Sequence, residues 1–182
     1  MRHLAWTCSL AFLAACSSGA PKPEEPAAAA PKPATQAAPM AAPKPAPPPA
    51  KPLVLDLSKF TGPAQNAELF GFNDGEGKVF FYTAGTVEWP AKIEADGAYQ
   101  VVVKASCDEA QGQKAKFKLK VDGEAVGGET ALTAVEEKEY VLAATLKAGD
   151  RKIGLEFTND LYKENEYDLN FYVHGLTVRP AK

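Results

Sequence analysis

Thirteen residues close to the C-terminal end of the chain, 156 to 168, hold a high density of oxygen-bearing side chains. Five are carboxylates, two are asparagines and two are tyrosines. The segment lies between two stretches with the alternating pattern of β-strands, so we expect it to form a loop. Ca²⁺ binds about six to eight oxygen ligands in flexible geometry, and a loop of this composition can supply them. Metal-bound oxygens beside aromatic side chains indicate ligand binding and not catalysis.

A second acidic turn precedes this segment in the chain. Residues 73 to 77 read Asn-Asp-Gly-Glu-Gly, after the aromatic residues Phe70 and Phe72. The turn lacks the ligand series of an EF-hand loop. We interpret it as a plain turn, with a structural Ca²⁺ site as the alternative.

The elements that must position these loops are strands. Alternation of apolar and polar residues recurs from residue 53 onward, and no sustained helical period is present. Residues 53–182 are enough for one domain with a substantial core. The pattern therefore predicts an all-β fold, an antiparallel β-sandwich or jelly roll, with at most a turn or so of helix between Phe60 and Leu69. We predict strands at 53–57, 78–82, 86–93, 98–106, 114–121, 125–132, 139–146, 151–157 and 169–178. Turn residues that tolerate positive φ follow at 96–97, 122–123 and 149–150.

The large aromatic Trp89 shares one side of a predicted strand with Val87 and Ala91. We predict that it belongs to the core, because a sandwich of this size needs a large buried side chain. The alternative is an exposed indole on which a sugar stacks. We also predict inward rows at 99, 101 and 103, at 153, 155 and 157, and at 169, 171 and 173.

Charge and motif content exclude several function classes. Residues 53–182 carry 21 acidic and 15 basic side chains, which argues against nucleic acid or an anionic membrane face as a partner. Lysines 114, 116, 118 and 120 alternate with apolar residues and are predicted to form the solvent face of one strand. No nucleophile elbow, zinc-protease motif or phosphate-binding glycine loop is present, and Cys107 is interpreted as buried and inert. We therefore predict that the protein is not an enzyme.

The N-terminal residues resemble a bacterial lipoprotein signal. Arg2 and His3 precede a short apolar run, and the sequence Leu13-Ala14-Ala15-Cys16 resembles a lipobox. The resemblance implies that residues 1–15 are a signal peptide and that Cys16 carries the lipid. A cleaved signal followed by a chance cysteine is the alternative. Ser17 stands where an inner-membrane retention signal would have Asp, so the expected location is the cell envelope, at the outer membrane if there are two membranes.

Residues 16–52 follow as a tether. The stretch 19–52 contains twelve prolines and twelve alanines among 34 residues, which cannot bury a core. We predict a disordered linker of extended polyproline character, about 3.1 Å per residue, that holds the folded domain away from the membrane.

From about Gly85 to Val178 the chain resembles the calcium-dependent, xylan-binding type of carbohydrate-binding module. The motifs that carry the resemblance are Phe157-Thr158-Asn159-Asp160-Leu161-Tyr162 and Asp168-Leu169-Asn170-Phe171-Tyr172-Val173. It implies a β-sandwich jelly roll in which a loop holds Ca²⁺ and the metal coordinates neighbouring sugar hydroxyls.

By this resemblance, Asp160 and Asp168 would be carboxylate ligands, with the carbonyl of Tyr162 and the side chain of Asn170 as further candidates. Tyr162, Asp160 and Asp168 would also contact the carbohydrate. The chain departs from the family at Leu169, where Arg is usual, and at His174, where Asp is usual.

The sequence therefore predicts a lipid-anchored envelope protein whose single domain binds a polysaccharide or oligosaccharide through Ca²⁺. The alternative is a structural or protein-interaction lipoprotein with a vestigial metal site, which the departures at Leu169 and His174 would favour.

Overall fold

The computed structural model describes residues 51–181. The predictions for the signal peptide, for Cys16 and for the tether up to residue 50 lie outside these residues. No helix in the described part is long and apolar enough to cross a membrane.

Fourteen strands build the domain, and every pairing between them is antiparallel. Two 3₁₀ turns, Leu57–Lys59 and Ala67–Leu69, are its only helical elements among residues 51–181. The strands are β1 Leu53–Val54, β2 Phe70–Asn73, β3 Lys78–Phe81, β4 Gly85–Ile93, β5 Gly97–Cys107, β6 Glu109–Ala110, β7 Gln113–Lys114, β8 Lys116–Val121, β9 Glu124–Ala131, β10 Lys138–Leu146, β11 Gly149–Phe157, β12 Tyr162–Lys163, β13 Tyr167–Asp168 and β14 Phe171–Pro180.

Two main sheets enclose the core. One has the order β10-β5-β14-β3-β2, with β1 also paired to β14, and the other has the order β4-β11-β8-β9. The pairs β12–β13 and β6–β7 form small hairpins. The predicted all-β sandwich is confirmed.

The core lies between the inner faces of the two sheets. All three predicted inward rows are buried, at 99, 101 and 103, at 153, 155 and 157, and at 169, 171 and 173. Trp89 is fully buried, and its indole Nε1 donates to the Leu57 carbonyl at 3.1 Å. It therefore belongs to the core and is not an exposed stacking platform. Cys107 is also buried and free, and burial raises the pKa of its thiol.

Several element boundaries differ from the prediction. The first strand ends at Val54 because the Asp56 carboxylate accepts from the Ser58 amide at 3.1 Å and caps a 3₁₀ turn instead. The predicted strand 114–121 is split between β7 and β8, and β2 was not predicted. Asp96 does not take a positive φ; its carboxylate accepts from the Ala148 amide at 2.8 Å and so ties two neighbouring hairpins together.

Candidate functional site

The acidic segment folds into a hairpin on the outside of the sandwich. Tyr162 pairs with Asp168 across β12 and β13, and the Leu169 amide donates to the Leu161 carbonyl at 2.9 Å. Asn165 takes a left-handed conformation, φ 61°, at the tip. The exposed carboxylates of Glu164 and Glu166 lie at the tip. The carboxylates at the base of the hairpin are those of Asp160 and Asp168.

Asn159 fastens the start of this hairpin to the four-stranded sheet. Its side-chain oxygen accepts from the Lys116 amide at 2.6 Å, and its side-chain nitrogen donates to the Lys114 carbonyl at 3.0 Å. These bonds use the backbone groups at the break between β7 and β8, which explains why the predicted continuous strand is interrupted there. Asn159 is therefore occupied as an anchor, and the following residue, Asp160, is held in a defined place.

All four predicted metal-site residues line one cavity of about 590 Å³, which we call the hairpin cavity. Its lining residues are Leu69, Tyr82, Thr83, Asp160, Tyr162, Asp168, Asn170 and Tyr172. Tyr82 and Thr83 come from the connection between β3 and β4, and nothing in their local sequence marks them as site residues.

Two of the residues that line this cavity each carry a buried oxygen atom without a hydrogen-bond partner. One carboxylate oxygen of Asp160, Oδ2, accepts from the Thr83 hydroxyl at 2.9 Å, while its Oδ1 is buried and unpaired. The Oδ1 of Asn170 is also buried and unpaired. Buried acceptors without a partner are costly, and a hard cation is one species that satisfies them. The donor set of Asp160, Asp168 and Asn170 therefore fits Ca²⁺.

The orientation of Asn170 is set by Asp108. The Asn170 side-chain nitrogen donates to Asp108 Oδ2 at 3.0 Å, and the Asp108 amide donates to the Asn170 carbonyl at 3.0 Å. Because an amide that donates through its nitrogen must direct its oxygen elsewhere, Asp108 leaves Asn170 Oδ1 available as an acceptor. The Tyr172 hydroxyl donates to the same Asp108 oxygen at 2.8 Å.

Tyr172 is held as a neutral hydrogen-bond donor. Burial, followed by the hydrogen bond to Asp108, raises the pKa of Tyr172 well above its ordinary value. The Lys78 ammonium lies 4.2 Å from the centre of its ring. Asp108 thus accepts hydrogen bonds from two neutral side chains, and sequence reasoning missed this residue because it lies 62 positions from Asn170.

Aromatic rings flank the cavity. The rings of Phe80 and Tyr82 are stacked at 4.4 Å, and Tyr82 meets Tyr172 edge to face at 6.4 Å. Gly71 permits this arrangement, since a Cβ there would lie 2.4 Å from the Phe80 ring. Tyr82 and Tyr162 are 43% and 65% exposed, so both rings are accessible to a ligand at the cavity.

Leu169 and His174, the two positions at which the chain departs from the family pattern, lie outside the hairpin cavity. Leu169 is fully buried in the core. His174 lies on the outer face of the six-stranded sheet, where its Nε2 shares a hydrogen bond of 2.8 Å with the Ser106 hydroxyl and its Nδ1 lies 3.3 Å from Glu137 Oε2. Neither residue lines the hairpin cavity.

His174 should make folding stability depend on pH. Burial, together with Lys78 and Lys104, lowers the pKa of His174, although Glu137 acts in the opposite direction. The unfolded chain then binds a proton on this histidine more readily than the folded one, so stability is retained above about pH 6.5 and falls as the pH drops below it. We expect the melting temperature of His174→Gln to change less between pH 7 and 5 than that of the wild type. Parallel profiles of the two proteins would contradict this.

The second acidic turn has ordinary turn contacts. Asn73 Oδ1 accepts from the amides of Gly75 and Glu76, and Glu76 forms an ion pair of 2.7 Å with Lys78.

Within residues 51–181, no group of three or more His, Cys, Asp and Glu side chains is placed to hold a metal ion. The hairpin cavity is not such a group, because it has two carboxylates, Asp160 and Asp168. Its third side-chain oxygen belongs to Asn170.

Solved structures of carbohydrate-binding modules share this fold. A family 35 module from Clostridium thermocellum has 17% identity and a TM-score of 0.52, with 72% of this chain and 100% of that chain covered. A module of a multidomain xylanase from the hindgut metagenome of Trinervitermes trinervoides has 16% identity and a TM-score of 0.54, with 72% and 99% covered. The C-terminal family 6 module of a marine laminarinase from Zobellia galactanivorans has 12% identity and a TM-score of 0.51, with 71% and 99% covered.

Sequence identities of 12% to 17% show that these modules share the fold of this chain and nothing further. No curated protein is significantly similar to this chain. A family model does match, over the region that contains Asp108, β14 and the whole acidic hairpin. The resemblance to a carbohydrate-binding module stated from the sequence is confirmed: residues 100–182 match the family CBM60, described as a Ca-dependent carbohydrate-binding module, xylan-binding.

Proposed function

We propose that this protein binds a polysaccharide or oligosaccharide at the hairpin cavity, with Ca²⁺ as cofactor and without catalysing a reaction. The observation that carries the proposal is the pair of buried, unpaired oxygens, Asp160 Oδ1 and Asn170 Oδ1, on two residues that line a cavity flanked by accessible tyrosines. The match to a calcium-dependent module family supports it independently.

Three side chains and one backbone group would hold the ion. Asp160 and Asp168 supply negative charge, and Asn170 supplies a neutral oxygen whose direction Asp108 controls. The Tyr162 carbonyl is a further ligand in the proposal. When bound, Ca²⁺ supplies coordination positions at which two neighbouring sugar hydroxyls can replace water.

The surrounding side chains would select a sugar and hold it. Tyr82 and Tyr162 offer ring faces to the apolar C–H faces of a sugar, and their rigid rings lose little conformational freedom on binding. Thr83 fixes the Asp160 carboxylate through its hydroxyl and contributes its own oxygen to the cavity wall.

Calorimetric titration of the full chain tests the proposal. We expect heat of binding with Ca²⁺, and then binding of xylo-oligosaccharides in Ca²⁺ that disappears in chelator. No heat with Ca²⁺ at millimolar concentration would reject the calcium site. The structural or protein-interaction role predicted as the alternative would then take its place.

The cell envelope is the proposed location, with a lipid on Cys16 as the anchor and residues 16–52 as the tether. The lipobox-like sequence supports this part of the proposal. Cys16→Ser should move the protein from the membrane fraction to the soluble fraction of cells, and an unchanged distribution would contradict the anchor.

A further inference from the structure

A second cavity, of about 520 Å³, lies against the four-stranded sheet; we call it the threonine cavity. Polar side chains from three parts of the chain line it: Thr61, Gln65, Asn66, Thr86, Glu88 and Lys120. The site described above does not use any of these side chains.

The cavity is built by the fold and is not a chance gap between loops. Thr61 and Glu88 exchange backbone hydrogen bonds of 2.8 and 2.9 Å, which hold the segment after Thr61 against β4. Gly154 stands opposite both Glu88 and Lys120 in the sheet. A Cβ at Gly154 would lie 3.3 Å from Glu88 Cγ and 3.2 Å from Lys120 Cβ, so these two side chains close over the glycine.

Thr83 joins the threonine cavity to the hairpin cavity. It lines both, and its hydroxyl donates to Asp160 at 2.9 Å. The two cavities therefore adjoin across the connection between β3 and β4, so a ligand longer than one unit can extend from the hairpin cavity into the threonine cavity.

The chemistry of the lining fits a neutral, hydroxyl-rich ligand. Hydroxyl and amide side chains both donate and accept hydrogen bonds, as sugar hydroxyls do. The two charged residues carry opposite charges, and each already has a partner: Glu88 with Lys152 at 3.3 Å and Lys120 with Glu156 at 3.6 Å. The cavity therefore offers no net charge to attract an ionic group.

We propose that the threonine cavity is a second sugar subsite, which takes adjoining units of a neutral oligosaccharide whose first unit binds in the hairpin cavity. The inference rests on the proposed function and adds where the neighbouring units of the oligosaccharide bind. It also gives the bound oligosaccharide a direction, from the hairpin cavity past Thr83 toward Thr86 and Gln65.

Dependence of affinity on chain length tests this subsite. With the full chain in Ca²⁺, calorimetry should show xylotetraose binding at least about tenfold more tightly than xylobiose, since several additional hydrogen bonds of modest net strength are formed. The double variant Gln65→Ala, Thr86→Val should keep the xylobiose affinity and lose about fivefold to tenfold for xylotetraose. Thr145→Val, at an exposed position of β10, is the matched control and should change neither.

The possible failures are distinguishable. Equal wild-type affinities for xylobiose and xylotetraose, or a double variant that binds xylotetraose as the wild type does, would overturn the subsite and leave the hairpin site intact. A loss of the same size for both sugars would also overturn it, because the residues would then act on the first subsite. Absence of binding to any xylo-oligosaccharide by the wild type would overturn the proposed function and this inference together.

Discussion

Replacing Asp160 with asparagine is expected to abolish calcium binding and carbohydrate binding together. In the proposed site Asp160 would supply a charged ligand, and its Oδ1 is buried and unpaired. An asparagine keeps the shape and the contact with Thr83 but removes one of the two negative charges that the proposed site offers to a hard cation. Calorimetric titration with Ca²⁺, followed by a xylo-oligosaccharide, measures both losses on the same sample.

Thermal unfolding separates loss of the site from loss of the fold. Calcium at about a hundred times its dissociation constant stabilises a one-site protein by about 2.7 kcal/mol, which corresponds to roughly 10 °C in melting temperature for a domain of this size. The wild type should show this rise and Asp160→Asn should not. Without metal, the variant should be at least as stable as the wild type, because an unpaired buried carboxylate oxygen has been replaced by a neutral group.

Glu164→Gln is the matched control for this variant. It removes the same charge from the same hairpin at an exposed position. Its calcium affinity should stay close to that of the wild type. If Asp160→Asn retains the calcium-dependent rise in melting temperature, the metal is bound elsewhere.

The second large effect is expected at Asp108, which accepts a hydrogen bond from Asn170 and does not line the cavity. Asp108→Ala removes the acceptor that fixes the Asn170 amide, so the orientation of its side-chain oxygen is no longer fixed. Loss of such a supporting contact typically weakens metal binding by about 10-fold to 100-fold. Calcium titration of Asp108→Ala against the wild type measures this change.

A conservative substitution shows whether Asp108 acts by positioning. In Asp108→Asn, one amide oxygen can still accept from both Asn170 and Tyr172, so calcium affinity should largely recover. A spectrophotometric titration of the tyrosines gives a second signal. The pKa of Tyr172 should fall toward its ordinary value in Asp108→Ala, because its hydrogen-bond acceptor is gone. Unchanged calcium affinity in Asp108→Ala would reject the positioning role.

The strands and their faces could be predicted because the signal is local. Side chains alternate along a strand, so the rows ending at Val103, Phe157 and Val173 could be assigned to the core from sequence alone. Strand β2 was not predicted, because its sequence makes sense as a strand only in the light of a tertiary contact. Its Gly71 lies under the ring of Phe80 on the neighbouring strand, and only that contact explains a glycine within a strand.

Part of the candidate site was also predictable, because hairpin oxygens cluster within a few positions. The predicted residues Asp160, Tyr162, Asp168 and Asn170 all line one cavity. Thr83 could not be found in this way, since it lies 77 positions from Asp160 and its own neighbours show no ligand pattern. The same holds for Asp108, whose role depends on two side chains from β14 and the segment before it.

The amino-acid sequence by itself determined the fold class, the family resemblance and a short set of candidate oxygen ligands, because each depends on residue type and spacing within one segment. Tertiary structure alone decided which oxygens are buried and unpaired, and which distant groups hold them. It also placed Tyr82 beside the cavity, whereas the burial of Trp89 in the core confirmed a prediction from the sequence. The physical reason is that burial and hydrogen-bond satisfaction depend on what the rest of the chain brings to a residue, and this information is not present in its local sequence.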